Sequence, residues 1–305
     1  MTPVAVDSNQ GAGYYTSSVN KPVGSWIASY DLMSSYWYFP MAIDSSDNLY
    51  GLTKDPSDYS TIRFYTKSPH NKWNYSTYKV SAYLPDWLDV TADSLGHVHG
   101  SFLDVVGDNG LYYSTDALGV FTTFKISTSA INPTRIVVDD VGVIHIITDI
   151  QSDNTLKHFY SYGGSWLNEN VGAGYYSYTH AMATGPGNTL HVALLNAANY
   201  TLLYSVKSAG SWQTQTVTTT MFVSPWSGLG IAVKSNGTPV IAYYSTASSL
   251  IYASRSGSTW SFETVETSVY AGFNGLSMKL DLNDNPVITY LGNNRKNLQL
   301  AQRSA

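Results

Sequence analysis

Residues 160–166, YSYGGSW, read as the end of one strand, a Gly/Ser turn and the opening of the next strand. Nearly the same words return as YSVKSAGSW at 204–212 and YASRSGSTW at 252–260. Each closes on a tryptophan, and these tryptophans belong to a longer ladder. Trp26, Trp73, Phe121, Trp166, Trp212 and Trp260 stand 47, 48, 45, 46 and 48 residues apart. A fixed period of this length in a strand-rich chain marks an array of small sheets, one per repeat.

Working outward from the ladder, each repeat contains four short segments. Strand A is apolar and ends at a turn whose first residue is Asp44, Asp93, Asp139, Thr184, Lys234 or Asp281. Strand B follows at once (LYGLT, VHGSF, IHIIT, LHVAL, VIAYY, VITYL), strand C carries an aromatic pair, and strand D opens on the ladder residue. Short strands at even spacing, separated by Gly, Asn and Asp, predict an antiparallel all-β array. Four strands per unit predict a β-propeller. A sandwich does not explain the period, and a solenoid needs capping units that are not found.

Strands A and B recur six times and strand D six times, but the last repeat lacks D and Trp26 has no complete repeat before it. Joining the two predicts a six-bladed ring closed by an N-terminal strand, with no open blade edge. The chain then reads as one domain, 1–305. Residues 1–40 form the closing segment, and repeats lie near 41–88, 89–135, 136–180, 181–228, 229–275 and 276–305. Residues 1–18 resemble an A–B pair, so extra outer strands on the closing blade and a seventh blade both stand as alternatives.

Charged residues make up only 12% of the 305, aromatics reach 14% and the formal charge is −5. The 16 Lys and Arg form no run, which argues against a nucleic-acid partner. No apolar stretch approaches a membrane helix, so membrane insertion is not expected. MTPVAVDSNQ does not read as a signal peptide. With no cysteine there is no disulfide or thiolate chemistry, a composition compatible with an extracellular or virion-associated setting.

The D-x-x-G-x-x-H turns in DSLGHVH and DDVGVIH, the L-x-Y strand and the G-S-W turn resemble the divergent repeats of sialidase-like, BNR-repeat-like bacterial and phage propellers. The S-x-D-x-G-x-x-W box of true sialidases is absent from every repeat. The resemblance covers residues 20–305 and implies a propeller that binds or acts on glycans.

Repeated positions are read as scaffold. The A–B turn aspartates are expected to accept backbone N–H bonds rather than to bind calcium, and no metal or cofactor is expected. His99, His145 and His191, spaced by 46, alternate with Tyr50, Val240 and Val287 in other repeats and are read as packing positions. Residues that break the repeat are read as the site. On the D–A connections these are Tyr36, Trp37, Asp86, Trp87, Arg135, Tyr176, Tyr178, His180, Trp226, Phe273 and Asn274. On the B–C loops they include Asp104, Asp149 and Arg295. Aromatic faces among carboxylates and amides suit sugars, whose C–H faces stack on rings while their hydroxyls hydrogen-bond.

Three functions follow. The first is a lectin-like or adhesive propeller binding a glycan in an aromatic-lined central funnel. The second is a glycoside hydrolase or polysaccharide lyase, with Asp86, Asp104 and Asp149 as candidate acids, His180 as base and Tyr178 as acid. The third is a structural or receptor-binding component with protein partners.

Overall fold

A computed structural model describes residues 12–14, 29–32, 40–44, 46–68, 73–80, 85–150, 152, 154–172, 177–196, 198–221, 228–267, 276–292 and 297–303. Two short strands, β1 (Ala12–Tyr14) and β2 (Ser29–Leu32), form an antiparallel pair. Blade 1 contains β3 (Met41–Ile43), β4 (Leu49–Lys54), β5 (Thr61–Lys67) and β6 (Asn74–Lys79). Blade 2 contains β7 (Pro85–Ala92), β8 (Val98–Asp104), β9 (Leu111–Thr115) and β10 (Thr122–Ser127). Blade 3 contains β11 (Ala130–Val138), β12 (Ile144–Ile150), β13 (Thr155–Tyr162) and β14 (Ser165–Asn170). Blade 4 contains β15 (Ser177–Gly185), β16 (Thr189–Asn196), β17 (Thr201–Ser208) and β18 (Ser211–Thr218). Blade 5 contains β19 (Leu229–Val233), β20 (Pro239–Tyr244), β21 (Leu250–Ser256) and β22 (Thr259–Glu266). Blade 6 contains β23 (Leu276–Leu280), β24 (Pro286–Gly292) and β25 (Asn297–Gln302).

Within every blade the strands pair in chain order, which makes this a six-bladed β-propeller of antiparallel sheets. The chain packs as two compact units, one of residues 1–153 and 158–168, the other of 154–157 and 169–305. Second strands such as β8 and β20 are buried along their whole length, whereas the fourth strands β6 and β22 are mostly exposed. A strand buried on both faces has to lie between neighbouring sheets, so its residues are apolar in succession rather than alternating.

The A–B turns follow the expected chemistry. Asp44 Oδ1 accepts the amides of Ser46 and Asn48 at 2.8 and 2.9 Å, and Asp93 Oδ1 those of Leu95 and His97 at 2.9 and 2.8 Å. Asp139 and Asp281 repeat the pattern two and four residues on. Gly96 and Gly142 supply the left-handed residue of this turn, at φ 84° and 83°, and Asp47 and Asp284 take it elsewhere at 64° and 61°.

Ladder residues bind one blade to the one before it. Phe121 packs on Phe64 with ring centroids 5.2 Å apart, Trp166 meets Tyr113 edge-on at 5.2 Å, and Trp260 meets Tyr204 edge-on at 5.4 Å. The strand-B histidines are interior, as read. His99 and His191 each place Nδ1 2.7 Å from a strand-C tyrosine hydroxyl, Tyr113 and Tyr204, and His145 Nδ1 lies 2.9 Å from His158 Nε2.

Two features differ from the sequence reading. First, β7, β11 and β15 begin at Pro85, Ala130 and Ser177, before the repeat starts drawn at 89, 136 and 181. Asp86, Trp87, Arg135, Tyr178 and His180 therefore lie on the first strand of a blade rather than in a connection. The strands absorb these residues by bulging. Second, Ser29–Leu32, assigned to the closing strand, pairs with Ala12–Tyr14, and blade 6 shows three strands among the described residues.

Candidate functional site

Three consecutive blades begin with the same irregularity. In β7, Asp86 faces Leu103 and Asp89 faces Ser101, so β7 spends three steps where β8 spends two. In β11, Ile131 faces Asp149 and Arg135 faces Ile147, four steps against two. In β15, Ser177 faces Asn196 and His180 faces Leu194, again three against two. β-Bulges turn side chains out of the alternating pattern and concentrate at sheet rims and next to binding sites. No such shift occurs at the start of β3, β19 or β23.

The bulge in β7 is the most constrained. Trp87 sits at φ 51°, a left-handed conformation that a bulky side chain rarely adopts. Asp86 stabilises it by accepting the Trp87 amide on Oδ1 at 2.9 Å, while Lys54 Nζ, at the end of β4, meets Oδ2 at 3.1 Å. The Asp86 side chain remains 38% exposed and that of Lys54 only 13%. Trp87 is half-buried and packs on the cluster that contains Leu103, Leu111 and Ile150. The result is a fixed ring beside a solvent-facing ion pair. Past the bulge, Asp89 Oδ2 accepts the Ile136 amide at 3.0 Å and Thr134 Oγ1 donates to Ser101 Oγ at 3.1 Å, which locks β11 against blade 2. Arg135, half-buried, donates from Nη1 to the Thr134 carbonyl at 2.8 Å.

The other candidate carboxylates are buried. Asp104 is buried and accepts the amides of Val106 and Gly107 at 3.3 and 2.9 Å; Asp149 has no exposed surface. Asp55 accepts from Arg63 Nε at 2.8 Å and from the Ser57 amide at 2.7 Å, and the Arg63 guanidinium with Ser57 holds its carboxyl well below the usual range. A glycosidase needs two carboxyl groups facing one sugar. Of Asp86, Asp104 and Asp149, only Asp86 faces solvent. His180 is fully buried in β15. In this position the imidazole does not reach a polymer in solvent.

Tyr36, Trp37, Tyr176, Trp226, Phe273, Asn274 and Arg295 lie outside the described residues, and Tyr178 is placed only as a position on β15. Lys54 is the residue that sequence reasoning missed. Its signal was a lone cation at the end of a strand B, the position that the next repeats fill with Leu103 and Asp149. The second unit also holds a cavity of about 170 Å³, lined by Tyr252, Glu263, Val265, Ile288, Ala301 and Arg303.

No protein-family model matches the chain, and no curated protein matches it. Solved structures do. A variant of the Aleuria aurantia lectin in complex with Fucα1-6GlcNAc is 12% identical, with 88% of this chain and 92% of that one covered and a TM-score of 0.60. The BP39L lectin of Burkholderia pseudomallei is 11% identical over 87% of this chain and 82% of its own, with a TM-score of 0.63. The SapL1 lectin, solved with α-methyl fucoside, is 14% identical over 87% and 96%, with a TM-score of 0.55. At such identities the likeness establishes the shared fold.

Proposed function

We propose that this chain is a non-enzymatic, lectin-like propeller that binds glycans at the bulged first strands of its blades. The observation that carries the reading is Trp87, held at φ 51° beside the Lys54–Asp86 pair. Strain of this kind costs about 1–3 kcal/mol and persists where a functional geometry is built. A fixed indole offers a stacking face for the C–H surface of a pyranose, and the ion pair offers a donor and an acceptor for adjacent hydroxyls. Arg135 and Tyr178 occupy the corresponding bulged segments, whereas the buried His180 supports the strand rather than the ligand. Tyr36, Trp37, Tyr176, Trp226, Phe273, Asn274 and Arg295 complete the proposed ligand set on sequence grounds.

Fucose-binding propellers share the fold, so α-L-fucosides are the first probes. The finer affiliation with sialidase-like propellers is supported by the D-x-x-G-x-x-H turns, the L-x-Y strand and the G-S-W turn. A glycan panel read by both binding and product analysis tests the proposal. It predicts saturable binding with the sugar recovered unchanged. Reducing-end release or formation of an unsaturated uronate would show an enzyme instead. A folded protein that retains nothing from a broad panel would leave the structural role.

A further inference from the structure

Blade 2 makes its last turn differently from the blades that follow it. Between their third and fourth strands, blades 3, 4 and 5 spend two residues (163–164, 209–210, 257–258), whereas β9 and β10 are joined by six, 116–121. The longer turn is well braced. Asp116 Oδ1 accepts the Val98 amide at 2.7 Å, and the Ala117 amide donates to Thr115 Oγ1 at 3.1 Å. The Gly119 amide donates to the Asp116 carbonyl at 2.8 Å, with Gly119 at φ 84°. This ordered turn holds Leu118 and Val120 out in solvent, 65% and 69% exposed.

Three neighbouring turns add to the same surface. The bond from Val98 to Asp116 sets the long turn beside the A–B turn of blade 2, whose tip is Leu95. Trp166, just past the hairpin turn of blade 3, packs on Tyr113 near the end of β9 and so brings Tyr162 to this end. The Ile144 amide donates to Ser161 Oγ at 3.0 Å and ties in the A–B turn of blade 3, tipped by Val141. Leu95, Val141 and Tyr162 are each more than 70% exposed. At the matching A–B tips the other blades carry Ser46, Pro186, Asn236 and Asn283. All five apolar side chains belong to the first compact unit. Together they expose on the order of 600 Å², as much as the largest apolar patch usual for a monomer.

The four turns contain no lysine or arginine, and Asp140 is their one exposed charged side chain. A partner recognised by its charge finds little to pair with here. A nearly uncharged apolar patch is instead its own complement, and a two-fold axis through it brings the same side chains together from both copies. A stable interface covers about 800 Å² per partner, which the apolar tips and the glycine-rich backbone between them supply.

We propose that this end of blades 2 and 3 is a homodimer interface, with a second copy of the chain as its occupant. The bulges of β7 and β11 lie at the opposite ends of the same sheets, so the interface leaves Trp87 uncovered in both copies. If Trp87 holds a glycan, the dimer is bivalent, but the interface does not depend on that reading.

Light scattering after size exclusion, across micromolar concentrations, should give the mass of two chains for the native protein. Leu118→Glu with Val141→Glu should give one chain with an unchanged circular dichroism spectrum, because both side chains are in solvent before assembly. Leu118→Ser alone should weaken association at least about ten-fold. Leu282→Ser, at an exposed leucine of blade 6, should leave it unchanged. A monomeric native protein, a dimer that tolerates the double substitution, or an equal effect of Leu282→Ser would overturn the proposal. So would growth beyond two chains with concentration, or a native monomer that co-sediments with phosphatidylcholine vesicles, which would make the patch a lipid-binding surface.

Discussion

His191 shows what the repeat does to a single residue. Its ring is buried between Thr189 Oγ1 at 2.9 Å and the Tyr204 hydroxyl at 2.7 Å, and burial, with Arg255 nearby, pushes its pKa down to about 4. An unfolded histidine titrates near 6.5, so between pH 6.5 and 4 the unfolded chain binds a proton that the fold refuses. Stability is therefore complete above pH 6.5 and falls as pH drops through this window, by about 3 kcal/mol from this residue. Burial lowers His99 in the same direction. Urea midpoints taken between pH 7 and 4 should decline, and His191→Gln should flatten the decline; an unchanged slope would contradict the assignment. The Asp55–Arg63 pair behaves differently, because one partner without the other leaves a buried charge. Arg63→Ala should cost about 3 kcal/mol by chemical denaturation, against well under 1 kcal/mol for an exposed pair.

At the level of elements, the blades are held by rings and by close backbone approach. Trp260 packs on Tyr204 and the cluster around Leu229 and Ile241, so Trp260→Ala should cost about 3 kcal/mol by thermal or urea unfolding. Gly100 marks a second kind of contact. A Cβ there would stand 2.7 Å from Leu52 Cδ1 of the preceding blade. Gly100→Ala should therefore destabilise by about 1–2 kcal/mol unless Leu52 shifts, and paired Gly100→Ala with Leu52→Val should recover part of the loss. The ladder and these strands were legible because identical packing tasks recur at a fixed spacing. The bulges were not. A residue added to one strand changes the register without changing composition, so Asp86-Trp87 and Thr134-Arg135 read as loop. Their departure from the repeat was visible, and that is what singled them out.

Six sheets of one plan make a molecule whose regular positions are spent on the scaffold. That explains how the sequence separates the two questions. Periodicity identified the propeller, and the turn aspartates and strand-B histidines, read as scaffold, each have a local structural partner. The proposed site was legible only as a set of exceptions, and burial divided that set further. Asp104 and Asp149 are sealed into the fold, while Asp86 faces solvent beside Trp87. Lys54 became visible only once pairing brought the end of one blade's second strand to the start of the next blade. Calorimetric titration of α-L-fucosides, and of the best ligand from a broad glycan panel, into the native protein and Trp87→Ala tests the central claim most directly. The account predicts saturable binding that weakens at least ten-fold in Trp87→Ala, about 1.4 kcal/mol or more, with the fold retained. Binding of equal strength in both proteins would contradict it.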